Sequence, residues 1–143
     1  MIDHVELIVP DRREAASWYE AALGLKLVSE YEFWADDPGG PLMISDDGGT
    51  TKLALFQSEP DGDPERGGWL RVAFRRDASG FLSFVDSAAG QGIVNAAGKP
   101  LSRADVVDHD QAYSVYLRDP WGHRLEVTTY EYTAVRDALA VLE

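Results

Sequence analysis

Glu126 stands in the middle of "HRLEVTTY", where alternation reads as a β-strand with Leu125 and Val127 on one face and Arg124, Glu126 and Thr128 on the other. A carboxylate at such a place has two ordinary uses. It can pair with the guanidinium of Arg71 or Arg124 as a half-buried ion pair, or it can bind the polar end of an organic ligand. Other side chains share a face in the same way. His4 and Glu6 lie two residues apart in "DHVELIVP", opposite Val5, Leu7 and Val9. In "TTKLALF" the apolar Leu53 and Leu55 leave Lys52, Ala54 and Phe56 on the other face. In "WLRVAFRR" the alternation of Val72 and Phe74 gives Arg71 the register of His4, whereas counting back from the following helix favours Leu70. His109, between two aspartates in "VVDHDQAY", reads as an exposed loop histidine, and His123, after "DPWG", as structural or solvent-facing. Trp34 ends "EYEFW" beside the acidic, turn-rich "ADDPGG", a place suited to a ligand wall. Trp18 and Tyr19 read as core or interface residues, and Trp69 and Trp121 sit at loop edges.

The bulk composition limits what these groups can serve. The chain has 143 residues, 45% hydrophobic, enough for one ordinary domain with a real core. It contains no cysteine, which excludes disulfides and thiolate metal sites. Twenty-five acidic against thirteen basic side chains give a formal charge of −12. That charge repels nucleic acid and anionic membrane and would welcome a cationic or aromatic ligand, although a solvated acidic surface explains it equally. No basic segment followed by an apolar one opens the chain, and no apolar run approaches the ~20 residues of a membrane span. A soluble, cytoplasmic protein is expected.

The elements that must carry these residues follow from periodicity and punctuation. After the first strand, Asp11 offers an N-cap with Glu14 three residues on, and Ala15, Trp18, Tyr19 and Ala22 recur at helical spacing up to Gly24. "LKLVSEYEFW", "PLMIS" and "TTKLALFQ" are read as strands. Residues 58–68, "SEPDGDPERGG", lack any apolar side chain and form a linker. The order then begins again, with strand "WLRVAFRR", helix "SGFLSFVDSAAGQG", an ambiguous strand region in "GIVNAAGKPLSR", and a hairpin of "AYSVYLRD" and "HRLEVTTYEY" about "DPWG". The halves repeat at roughly 67 residues, too long for a solenoid and right for a duplicated βαβββ unit. The expected organisation is a single domain over 1–143 with a first unit 1–57, linker 58–68, second unit 69–132 and a helical tail 133–143. In that tail Val135, Leu139 and Leu142 share one side.

"HVELIVPDRREAASWYEAALGLKLV" near the start and "YSVYLRDPWGHRLEV" near the end resemble the vicinal oxygen chelate superfamily of glyoxalases, bleomycin-resistance proteins, fosfomycin-resistance enzymes and extradiol dioxygenases. The second stretch is similar to the family's strand, Asp-Pro-x-Gly turn and strand-with-Glu signature. The resemblance implies an α+β fold in which two βαβββ units form a curved, incomplete barrel around a sheet-lined cleft, and commonly a homodimer. It implies that Glu126, and His4 in the first strand, stand where metal-dependent relatives carry ligands for one divalent ion, Fe, Mn, Zn or Ni. Ala54 stands where glyoxalases carry a carboxylate, and Arg71 or Leu70 where a further ligand would be, so two of four positions lack a ligand. Glu6 could supply a third, and His109 lies near the place of a histidine that assists proton transfer in extradiol dioxygenases. Three readings stay open. In the first, preferred here, a small organic molecule binds in the cleft against His4, Glu6, Trp34, Ala54, Arg71, Arg124 and Glu126 without a complete metal site. The second is an extradiol-dioxygenase-like or glyoxalase-like lyase enzyme using His4 and Glu126 with His109. The third is a dimerisation domain with no ligand.

Overall fold

Each half of the chain builds its own sheet. The computed structural model describes residues 2–58 and 71–141 and divides into two compact units, Met1–Arg66 and Gly67–Glu143. Of the expected linker only Ser58 is among the described residues, and Trp69, Leu70 and Leu142 lie outside them.

The first unit runs β1 (His4–Val9), α1 (Arg12–Leu23), β2 (Lys26–Leu27), β3 (Leu42–Ser45) and β4 (Lys52–Gln57). Its sheet has the order β1-β4-β3-β2, with β1 and β4 parallel and the other pairs antiparallel. The helix begins and ends for the reasons visible in its sequence. The Asp11 carboxylate accepts from the amides of Arg13 and Glu14, and Gly24 closes the last turn at φ 73° with its N–H on the Tyr19 and Glu20 carbonyls. Ala15, Ala16, Tyr19 and Leu23 form the buried stripe, and the Trp18 ring meets Tyr19 edge-on at 5.0 Å.

One expected strand is mostly something else. Of "LKLVSEYEFW" only Lys26–Leu27 pairs with β3, and Ser29–Asp36 winds into a 3-10 helix packed on β3. Two causes are visible. Tyr31, Phe33 and Trp34 do not alternate and instead pack on one another, Tyr31 and Trp34 stacked at 4.6 Å and Phe33 tilted on Trp34 at 5.7 Å. The carbonyls that a strand would offer to a neighbour are gathered by the Arg12 guanidinium, which donates to Ala35, Asp37 and Gly40.

The second unit repeats the plan as β5 (Val72–Arg75), α2 (Ala78–Ala88), β6 (Val94–Asn95), β7 (Val107–Asp108), β8 (Tyr113–Arg118) and β9 (Arg124–Thr129), then α3 (Tyr132–Ala140). The path β5-β9-β8-β6 has the connectivity of β1-β4-β3-β2, again with a parallel first pair, and β7 adds a fifth strand against β8. The ambiguous region after α2 becomes only the two-residue β6. Asp77 caps α2 through the Gly80 amide, and Phe81, Phe84, Val85 and Ala88 bury toward the sheet with Val115, Leu117, Leu125 and Val127. In the expected tail helix Val135 is fully buried. Among the described residues the architecture is α+β, with one sheet of four strands and one of five.

Candidate functional site

The antiparallel ladder of β8 on β9 places Tyr116 opposite Glu126 and Ser114 opposite Thr128, and the parallel ladder of β5 on β9 places Ala73 beside Glu126. Residues directly paired across a ladder share a face. The face away from α2 therefore carries Glu126, Tyr116, Ser114 and Ala73, while Leu125, Val127, Val115 and Leu117 go to the core. Glu126 is half-buried, and its Oε1 accepts a 2.7 Å hydrogen bond from the Ser114 hydroxyl. That hydroxyl has one proton, and the carboxylate takes it. Thr128 Oγ1, 3.0 Å from Ser114, donates onward to the Tyr113 carbonyl. Because Val72 pairs with Leu125, Arg71 falls on the Glu126 face, which answers the register question left by the sequence. An ion pair of Glu126 with Arg71 or Arg124, one of the uses open to it from the sequence, is nevertheless not among those of the described residues. The Arg71 guanidinium lies over the Tyr116 ring, 4.5 Å from its centroid, and Ser114 is the partner of Glu126.

His109 is exposed, as expected of a loop histidine, but it is not isolated. Its Nε2 lies 2.9 Å from the Tyr116 hydroxyl. The turn that presents it is tightly built: the His109 amide donates to the Ala112 carbonyl, and Asp110 adopts φ 65°, a left-handed conformation that Asp tolerates. Asp108 holds that turn from below. One carboxylate oxygen accepts from the Asp110 amide, and the other from the hydroxyls of Tyr113 and Tyr132, whose rings stack at 4.8 Å. The Asp110 amide, then those hydroxyls, keep the Asp108 carboxyl below its ordinary pKa, and hydrogen bonding with Tyr113 and Asp108 raises the Tyr132 phenol. His109, Tyr116, Arg71 and Glu126 thus form one connected or adjacent group on a single face.

The first unit collects a different set. His4 Nδ1 is 2.7 Å from the Asp3 carboxylate and its Nε2 is 3.6 Å from Glu6 Oε1. Lys52, the register partner of His4, is 7% exposed and donates to Asp3 and to the Gly49 carbonyl. Its ammonium sits 5.9 Å from the Tyr31 ring, on which Trp34 stacks. The bonds from His4 and then Lys52 lower the Asp3 pKa. Ala54, expected to face a ligand, is 1% exposed and presents no free surface. The structure therefore groups His4 with Glu6 in the first unit and Glu126 with Arg71, Arg124 and His109 in the second. Sequence reasoning missed Ser114, Tyr116 and Arg118, although "YSVYLR" alternates against Val115 and Leu117 and marks all three. It also missed Asp3 as the link between His4 and Lys52.

The family model for the Glyoxalase/Bleomycin resistance protein/Dioxygenase superfamily matches residues 1–127. The chain belongs to this superfamily. Solved structures agree on the fold. A glyoxalase/dioxygenase from Nostoc punctiforme superposes with TM-score 0.69 at 22% identity, over 91% of this chain and 90% of that one. A fosfomycin resistance protein from Listeria monocytogenes gives 0.65 at 12% identity, over 94% and 97%. A lactoylglutathione lyase from Agrobacterium tumefaciens gives 0.61 at 20% identity, over 92% and 94%. Comparison with curated proteins returned no match.

Superfamily members often bind a divalent metal ion, so the donor set must be tested against one. Around Glu126 the residues of the same face are Ala73, Tyr116, Ser114, Thr128 and the arginines Arg71, Arg75, Arg118 and Arg124, with no second carboxylate among them, and His109 turns its Nε2 to Tyr116. Among the described residues no group of three or more His, Asp or Glu side chains converges as a metal would require. This donor set does not fit a divalent cation. A cavity of about 540 Å³ in the first unit is lined by Lys26, Val28, Glu30, Ser45 and Asp46 at the β2 edge of the sheet, opposite the β1 edge that carries His4. No helix among the described residues is long and apolar enough to cross a membrane.

Proposed function

We propose that this member of the superfamily binds a small organic molecule on the Glu126 face of the second sheet, using that carboxylate and the Tyr116 ring, without a complete metal site there. The observation that supports this reading is the state of Glu126: half-buried, fixed by the Ser114 hydroxyl at 2.7 Å, and bordered by an aromatic ring that already carries a guanidinium. Fixed polar groups beside aromatic surface are what orients a bound molecule. The metal-dependent enzyme of dioxygenase or lyase type is the second reading, and the observation in its favour is the 2.9 Å contact of His109 with Tyr116, a pair able to pass a proton on this face. Elemental analysis of untagged protein, with titration of Fe(II), Mn(II), Zn(II) and Ni(II), separates the two. Absent or weak metal binding, unchanged in His4→Ala and Glu126→Ala, is the expected result. Near-stoichiometric metal lost in those variants would overturn the proposal. The homodimer implied by the resemblance and the cytoplasmic location expected from the sequence remain part of this reading, and sedimentation of the purified chain tests the first.

A further inference from the structure

We infer that the ligand of the Glu126 face carries an oxyanion, a carboxylate or phosphate, seated on a row of three arginines: Arg71, Arg124 and Arg118. The inference rests on the small-molecule reading above and narrows its chemistry. Arg118 and Arg124 are direct register partners across β8 and β9, and Arg71 immediately precedes Val72, whose partner Leu125 follows Arg124. The backbone positions of the three are therefore side by side, Arg118 and Arg124 on β8 and β9 and Arg71 just before β5, one row beyond Ala73, Glu126 and Tyr116. Neighbouring strands lie about 4.8 Å apart, so the row spans roughly 10 Å.

Like charges placed directly opposite each other across a ladder destabilise it. In a chain with 25 acidic and 13 basic side chains, carboxylates for relief are plentiful. Yet all three arginines are exposed, and none of the ion pairs among the described residues engages them. The nearest carboxylate by register, Glu126, accepts from Ser114 through Oε1 and is in none of the ion pairs among the described residues. Arg75, further along the same strand face, is used elsewhere, over the Tyr130 ring at 4.9 Å. The Tyr116 ring holds the Arg71 guanidinium at the edge of the Glu126 row. Planar forks with no internal acceptor match the paired oxygens of a carboxylate or phosphate, and an anion between them removes the repulsion. This sign is opposite to the one that the net charge of −12 suggests for a ligand: local arrangement, not total charge, sets the potential a small molecule meets.

The test is isothermal titration of the full chain with phthalate, phenyl phosphate, benzamide and benzyltrimethylammonium, which share an aromatic body and differ in charge. The expected result is that one or both anions bind at least about tenfold more tightly than the cation, and that Arg118→Gln and Arg124→Gln each weaken them by about tenfold or more. Arg124→Lys should fall between, keeping the charge and losing the fork. The ratio of phthalate to phenyl phosphate affinity distinguishes carboxylate from phosphate as the natural group. Anion affinities unchanged in both glutamine variants would overturn the inference. So would tighter binding of the cation or of benzamide; if that binding also falls in Glu126→Gln, the small-molecule site stands and only its charge preference is wrong. Failure of every probe to bind would sink both readings. The arginines are exposed and repel one another, so each glutamine variant should unfold no lower than the parent, which excludes a folding defect.

Discussion

Ser114 shows how much one hydroxyl can organise. It is 1% exposed, and it is the donor that holds the Glu126 carboxylate in place. Ser114→Ala leaves that carboxylate short of a partner in a half-buried position, and a loss of about 1 kcal/mol in urea unfolding is expected, together with weaker binding of whatever Glu126 orients. Unchanged stability would show that water replaces the hydroxyl at no cost. Asp108 makes a pH-dependent prediction. Its folded pKa is depressed below the ordinary 3.8, first by the Asp110 amide, so its contribution to stability is complete above 3.8 and drains away as pH falls through the lower folded value. The stability difference between the parent and Asp108→Asn should therefore be constant at mildly acid and neutral pH and shrink on the acid side of 3.8. A difference that grows on acidification would contradict the assignment.

At the scale of elements, the 3-10 segment Ser29–Asp36 and the loop after it are held by Arg12 and by a close backbone approach at Gly40. A Cβ on Gly40 would collide with the Trp34 carbonyl, a backbone atom that cannot swing aside. Gly40→Ala is expected to cost about 2 kcal/mol or more and to displace Trp34, read as a change in tryptophan fluorescence along with the shift in unfolding midpoint. A neutral substitution would mean that this loop has other conformations of similar energy. In the second unit the corresponding organiser is the hairpin turn, where buried Asp119 accepts from the Trp121 and His123 amides and from the His123 ring, and Gly122 takes φ 91°. His123 is thus structural, as its place after "DPWG" implies, and the turn sets the register that brings Arg118 opposite Arg124.

For the whole molecule the governing quantity is a charge of −12 on 143 residues. Self-repulsion of that size opposes the compact state and is screened within about 10 Å at 0.1 M salt. Thermal unfolding should therefore move up by a few degrees as sodium chloride is added at neutral pH. A fall would mean that ion pairs such as Arg103–Asp86 outweigh the general repulsion. The same addition should weaken anion binding at the arginine row, so stability and binding respond to salt in opposite directions.

The sequence alone determined the duplicated plan, because each element carries its own local signals. The Asp11 cap, the Gly24 stop, the Asp-Pro-Trp-Gly turn and the period-two strands act over a few residues and are not easily overridden. It also placed His4 with Glu6, and Glu126 with Arg124, on single strand faces, since alternation along a strand is a local property. It did not determine that "SEYEFW" leaves the sheet, because the competing partner, Arg12, lies on another element. Nor did it reveal that Ala54 is closed off, that Arg71 chooses Tyr116 over Glu126, or that the backbone positions of three arginines are side by side. Those facts depend on which strands pair and in what register, and such pairing is decided by packing between residues far apart in the chain.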